Sequence, residues 1–124
     1  MELSRRGVLG GLAGVLGIGA VAALAGCTPE KPEPVPSDDE VKAAVTVTVV
    51  DNRYEPAEVE ITRGQAVRWV FEGTAEHDVV AEDGSFVSEL MVSGSYTHLF
   101  GESGEFAYDC SIHPEMRGVV RVTA

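Results

Sequence analysis

From Ala43 onward, apolar and polar residues alternate with a period of two. Residues 45–50 read Val-Thr-Val-Thr-Val-Val, and residues 57–62 and 66–71 repeat the pattern. Successive side chains of a β-strand point to opposite faces of a sheet, so the alternation predicts strands with one buried face. Weaker runs predict further strands over 77–81, 96–100, 105–110 and 118–123.

Turn signals separate these strands at intervals of roughly 8–12 residues, which is typical of an antiparallel β-sandwich. Asp51-Asn52-Arg53 and Arg63-Gly64-Gln65 are two of them. Residues 86–92 fit neither period, and we expect an irregular crossing there, with a short helix as one alternative. No glycine-rich phosphate motif leads from a strand into a helix, so a nucleotide-binding fold has no support.

The first 26 residues have the pattern of an export signal. Arg5-Arg6 precede an apolar run that ends in Leu24-Ala25-Gly26-Cys27. This tetrapeptide resembles the lipobox of bacterial and archaeal lipoproteins, in which the cysteine is lipidated and becomes the first residue. The predicted product is anchored to the outer face of the cytoplasmic membrane by Cys27. Twin-arginine and ordinary secretory export both remain open, and a retained membrane helix over 8–25 is the alternative to cleavage.

Residues 27–43 are predicted to be a linker. The segment after Cys27 contains four of the six prolines and the acidic run Asp38-Asp39-Glu40. Proline without glycine favours an extended spacer, and we expect no fixed structure in it. The globular domain is therefore assigned to residues 44–124.

Charge excludes one class of partner. The chain has a formal net charge of −11; residues 1–26 carry a net +1, which leaves −12 for the rest. An acidic surface repels phosphate, so nucleic acid is not an expected partner. Steering of basic partners, adaptation to high salt and simple solubility all fit the acidity.

Scarce metal-binding residue types gather between strands near the end of the chain. Cys110, His113 and Met116 follow the spacing Cys-x2-His-x2-Met, and His77 lies upstream. Thiolate and thioether are soft ligands and imidazole is intermediate, so the set suits copper. Two histidines, one cysteine and a long axial methionine form the blue-copper site. We therefore predict a mononuclear copper site of His77, Cys110, His113 and Met116.

The two cysteines would form a disulfide by default in an exported protein. Here Cys27 is assigned to lipid and Cys110 to metal, so no disulfide is expected.

The residues from about 45 to 122 resemble the plastocyanin-like cupredoxins, which are small blue-copper proteins. The landmarks are Tyr54-x-Pro56, Gly64-x2-Val67-x-Trp69, His77, Phe86-x-Ser88, Gly94-x-Tyr96, Phe100-x3-Gly104-x-Phe106-x-Tyr108-x-Cys110, His113 and Met116-x-Gly118. The short metal loop is similar to that of amicyanins. The lipobox, the proline-rich spacer and the acidity resemble halocyanins.

This resemblance implies a Greek-key β-sandwich of about seven to eight strands and a one-electron carrier, not an enzyme. Its implied partners are redox proteins, such as respiratory complexes or dehydrogenases, and the carrier itself is expected to be a monomer. His113 is the implied exit for the electron, while His98 has no matching role. The family usually has asparagine after the first histidine ligand, and this chain has Asp78. A carboxylate cannot donate the hydrogen bonds of an amide, so we expect Asp78 to alter the surroundings of the metal.

Three other functions fit the sequence less well. A copper chaperone or storage module would bind copper without transferring electrons, but such proteins tend to have open arrays of methionine and histidine. A Cys110 nucleophile activated by His113 would make an enzyme, yet no third orienting residue is evident. A dinuclear copper centre would need a second cysteine near Cys110, and none is present.

Overall fold

A computed structural model of the chain describes residues 30–124, of which Lys31–Ala124 form one compact unit. The predicted export signal and Cys27 lie outside these residues. Within them there is no helix, and so none that could cross a bilayer. The strands are β1 Val45–Val50, β2 Arg53–Glu55, β3 Glu58–Thr62, β4 Ala66–Phe71, β5 Val80–Ala81, β6 Gly94–Leu99, β7 Gly104–Cys110 and β8 His113–Thr123.

The strands form a sandwich of two four-stranded sheets, which confirms the predicted all-β fold. One sheet has the order β2-β1-β4-β6 and the other β3-β8-β7-β5. Both are mixed, because β1 pairs with β4 and β3 pairs with β8 in parallel. The predicted antiparallel pairing holds for four of the six strand pairs within residues 30–124, and the other two are parallel. Alternation reports which face of a strand is buried, and it carries no information on strand direction.

Two local predictions differ from the structure, and a third agrees with it. Arg53, expected in a turn, begins the short strand β2, and the turn is only Asp51-Asn52, with Asn52 at a φ of 74°. Asparagine tolerates this left-handed conformation better than most residues. The strand predicted over 77–81 is reduced to Val80–Ala81. Residues 86–92 form the expected irregular crossing, without the alternative helix: Val87 pairs with Val80, and Met91 pairs with His77 in isolated bridges.

Aromatic side chains fill the space between the sheets. Trp69 on β4 is fully buried, stacks on Phe86 and meets Tyr108 edge-on, with ring centroids 5.4 Å apart in both pairs. Tyr108 also contacts Tyr54 edge-on at 4.7 Å. Tyr108 is two residues from Cys110 on the same face of β7, so this aromatic cluster forms the base of the predicted metal site.

The proline-rich linker is ordered in its second part, contrary to expectation. The backbone N–H of Val35 donates to the carbonyl of Val87 at 2.8 Å, and that of Asp38 donates to Thr97 at 2.8 Å. The Asp38 carboxylate in turn accepts from the N–H of Leu99. The segment thus satisfies backbone groups along β6, an edge strand that alternation alone leaves unpartnered. We call residues 31–43 the docked segment.

Gly118 on β8 gives a test of the core beneath the metal site. A Cβ at this position would lie 2.4 Å from the Tyr108 ring, whereas a Cβ at Gly101 would meet nothing within 4 Å. Gly118→Ala should therefore force Tyr108 off its position and lower the free energy of unfolding by about 1–3 kcal/mol, as overpacking does. Urea unfolding measures this loss. Gly101→Ala is the control, and equal effects of the two substitutions would contradict the packing described.

Candidate metal centre

The connection between β7 and β8 brings a thiol and an imidazole together. Cys110 ends β7 and His113 begins β8, and the two residues pair across the hairpin with only Ser111-Ile112 between them. The register of β7 against β8 shifts between Asp109 and Cys110, next to this pair. The Sγ atom of Cys110 lies 3.7 Å from Nδ1 of His113. The Cys-x2-His spacing therefore forms a tight hairpin that turns both side chains to one point.

His77 reaches the same point from the loop before β5. Its backbone exchanges two hydrogen bonds with Met91, at 3.1 and 2.9 Å, which fix the loop. Its side chain is almost fully buried, and its Nδ1 lies 3.8 Å from Sγ of Cys110. The predicted pairing of a distant histidine with the Cys110 loop is what the structure shows.

The donor atoms fit a metal ion. One atom each from His77, Cys110 and His113 lie within 4.8 Å of one another, and no other such group exists in residues 30–124. A metal ion bound at about 2.0 Å to nitrogen and about 2.3 Å to sulfur, at roughly 120°, would hold these two atoms about 3.7 Å apart. The Sγ atom of Cys110 lies 3.8 and 3.7 Å from the two Nδ1 atoms, which agrees with that separation. Met116, the fourth predicted ligand, is 1% exposed and belongs to the same buried core cluster as Cys110. Copper is the cofactor that this set of soft and intermediate donors fits.

Burial makes Cys110 a poor nucleophile. The thiol is completely inaccessible, and desolvation raises its pKa. Reactive cysteines have a lowered pKa and partial exposure. A buried thiolate at this position needs a positive charge beside it. A bound metal ion would supply that charge.

Asp51 is a residue of the site that sequence reasoning missed. Its carboxylate lies 2.9 Å from Nε2 of His77, the ring nitrogen opposite the one that faces Cys110. Hydrogen bonds from Thr74 and His77, and from the N–H of Ala75, hold the pKa of Asp51 well below its usual range. A carboxylate in this position fixes the tautomer of a metal-binding histidine and raises its basicity. The prediction of a turn at Asp51-Asn52 was correct, but it gave no indication that the Asp51 carboxylate contacts His77.

Asp78 joins the two halves of the site. Its side chain is fully buried, and Oδ1 accepts a hydrogen bond of 2.7 Å from the N–H of Ser111. Oδ2 accepts from the hydroxyl of Ser111 at 2.6 Å. A carboxylate can take the place of an amide here because the N–H and the hydroxyl of Ser111 are both donors. Asp78 therefore acts only as an acceptor of hydrogen bonds.

His98 lies among aromatic side chains. His98 is partly buried between Phe86 and Phe100, with ring centroids 5.0 and 4.7 Å away, and burial lowers its pKa. It is not in the metal-binding group.

Comparison with known proteins settles the family. The profile of the cupredoxin-like domain matches residues 17–122. The chain belongs to this family. Three of the four residues predicted to bind the metal, His77, Cys110 and His113, form the donor group of this cupredoxin.

Amicyanins are among the relatives of this cupredoxin. It is 34% identical to amicyanin of Paracoccus versutus over 96 residues, covering 73% of each chain. It is 30% identical to amicyanin of Paracoccus denitrificans over 112 residues, covering 84% of this chain and 85% of the relative. The crystal structure of the Paracoccus versutus protein superposes with a TM-score of 0.59 at 33% identity, covering 77% of this chain and 95% of that one.

The Asp51–His77 contact predicts a change in reduction potential. Asp51→Asn removes a negative charge that favours Cu(II), so the potential of the copper-loaded protein should rise. Each tenfold loss of Cu(II) affinity relative to Cu(I) corresponds to about 59 mV for one electron. Cyclic voltammetry measures the shift. Asp83→Asn changes the same charge at an exposed turn, and an equal shift in that control would contradict a specific role of Asp51.

Proposed function

We propose that this cupredoxin is a blue-copper electron carrier. Cys110, His77, His113 and Met116 would hold the copper ion, with Met116 as the most weakly bound of the four. The observation that carries the proposal is the approach of two imidazole Nδ1 atoms to one buried thiol, at 3.8 and 3.7 Å. The bound ion would supply a one-electron couple between Cu(II) and Cu(I).

The residues around the site are suited to fast electron transfer. His77 is held by Asp51 through the ring and by Met91 through the backbone, and Cys110 is held through the Ser111–Asp78 contacts. Ligands fixed in this way keep the same positions in both oxidation states, so little rearranges when an electron moves.

His113 is the proposed point of electron exchange. It is partly exposed, while His77, Cys110 and Met116 are buried. Ile112 beside it is 49% exposed, and the neighbouring Pro114 is also exposed, so apolar surface flanks the histidine. A redox protein that docks on this surface would approach the copper through His113.

Burial favours electron transfer over the other functions. A copper chaperone releases its metal to a partner, which is difficult when a thiolate and a thioether lie inside the core. A nucleophilic enzyme is disfavoured by the raised pKa and inaccessibility of Cys110. The amicyanin relatives support the same choice.

The cellular setting is part of the proposal. A lipid on Cys27 would hold the protein at the outer face of the cytoplasmic membrane, with membrane-associated redox proteins as partners. The net charge of −12 on residues 27–124 would attract a basic docking surface.

The visible spectrum of the copper-loaded protein tests the proposed function. One equivalent of Cu(II) should give an intense thiolate-to-copper charge-transfer band, which is bleached by a one-electron reductant and restored by an oxidant. Cys110→Ser should abolish the band. A colourless Cu(II) complex of the unsubstituted protein would exclude the blue-copper carrier.

A substitution of Met116 tests whether this residue binds the copper ion. Met116→Gln replaces a thioether by a harder oxygen donor, which favours Cu(II), so a coloured protein with a lower reduction potential is expected. An unchanged spectrum and potential would show that Met116 is not a ligand.

The anchor is tested by the mass of the protein isolated from membranes. Cleavage before Cys27 and the addition of acyl chains predict a chain that begins at residue 27 and carries lipid mass. Cys27→Ser should remove that mass. An uncleaved chain that still begins at Met1 would contradict the lipoprotein proposal.

A further inference from the structure

The buried carboxylate of Asp78 has a cationic partner from the docked segment. Nζ of Lys31 lies 2.7 Å from Oδ2 of Asp78, the oxygen that also accepts from the Ser111 hydroxyl. The Lys31 side chain is 26% exposed, while that of Asp78 is fully covered. No other ion pair to Asp78 occurs in the described part of the chain.

Lys31 is held where it can make this contact. Further along the docked segment, Val35 donates to Val87, and Thr97 donates its N–H to the Ser37 hydroxyl at 3.0 Å. Prolines at 32, 34 and 36 stiffen the chain between these contacts and the lysine. The position of Lys31 therefore follows from the docking of the segment on Val87 and on β6.

Charge explains why a cation is needed at this point. Asp78 follows His77 directly, and a buried carboxylate without a counter-charge is strongly destabilising. It would also add a full negative charge beside the metal centre, which an uncharged asparagine would not. The ammonium group of Lys31 offsets this charge and is the third hydrogen-bond donor to the carboxylate. Oδ1 accepts from Ser111, and Oδ2 accepts from Ser111 and Lys31.

We propose that Lys31 is a positioning residue of the copper centre. Through Asp78 it holds the Cys110–His113 turn against His77, and its charge keeps the reduction potential above the value that an unpaired Asp78 would impose. The segment that leads from the predicted anchor is thereby part of the site. This inference rests on the proposed copper function for its electrochemical part only.

The test begins with Lys31→Gln, and Lys42→Gln is the matched control. Lys42 is exposed in the same docked segment and is absent from the ion pairs of residues 30–124. In the copper-loaded full chain, Lys31→Gln should lower the reduction potential and weaken Cu(I) binding by about tenfold, as the loss of an outer partner of a ligand does. Lys42→Gln should change neither quantity. Lys31→Arg should leave the reduction potential and Cu(I) binding close to those of the unsubstituted protein, because arginine keeps the charge and the hydrogen-bond donor.

A double-substitution cycle with Asp78→Asn ties the effect to the carboxylate. If Lys31 acts through Asp78, then Lys31→Gln should leave the potential unchanged when residue 78 is asparagine. An equal drop in both backgrounds, or in Lys42→Gln, would overturn the proposal and indicate a general effect of charge.

Urea unfolding of the metal-free protein gives a readout that does not depend on copper. Lys31→Gln should lower the unfolding midpoint while Asp78 is present and leave it nearly unchanged in the Asp78→Asn background. Independent effects of the two substitutions would overturn the proposed pairing. A failure of the unsubstituted protein to bind copper would instead contradict the proposed function, while the metal-free cycle would still decide on the pair.

Discussion

The hydrogen bonds between Asp78 and Ser111 are the interaction on which the metal centre depends. Cys110, His113 and Met116 come from one hairpin, and its local geometry alone positions them. His77 comes from a separate loop, and the site is complete only where the two pieces meet. Asp78 is the residue after His77, and Ser111 is the residue after Cys110, so these bonds of 2.7 and 2.6 Å join the immediate neighbours of two ligands.

The rest of the sandwich makes this junction rigid. The hydroxyl of Tyr54 donates to the backbone carbonyl of Asp78 at 2.7 Å, which fixes the main chain while Ser111 fixes the side chain. Tyr54 in turn packs against Tyr108, and Tyr108 against Trp69. Because the interior is close-packed, a displacement of the metal loop would have to move this aromatic cluster as well. This packing restricts the movement of the metal loop.

Local chemistry made much of this predictable from the sequence. Alternation located the long strands because each has one buried face, and the scarcity of Cys, His and Met pointed to the three donors that the structure brings together. Apart from the approach of His77 to Cys110, contacts between residues distant in sequence were not predictable. The parallel pairing of β1 with β4 leaves no mark on either strand. In the sequence, Asp51 belongs to a predicted turn and Lys31 to a predicted spacer. Their contacts with His77 and Asp78 form only in the folded chain.

X-ray absorption at the copper edge tests the central claim, that the fold holds a thiolate and two imidazoles around one ion in a fixed arrangement. For the protein loaded with one copper, the account predicts one short copper–sulfur bond and two copper–nitrogen bonds, with nearly the same lengths after reduction. A first shell of nitrogen and oxygen without the short sulfur bond, or a large change of coordination on reduction, would contradict it.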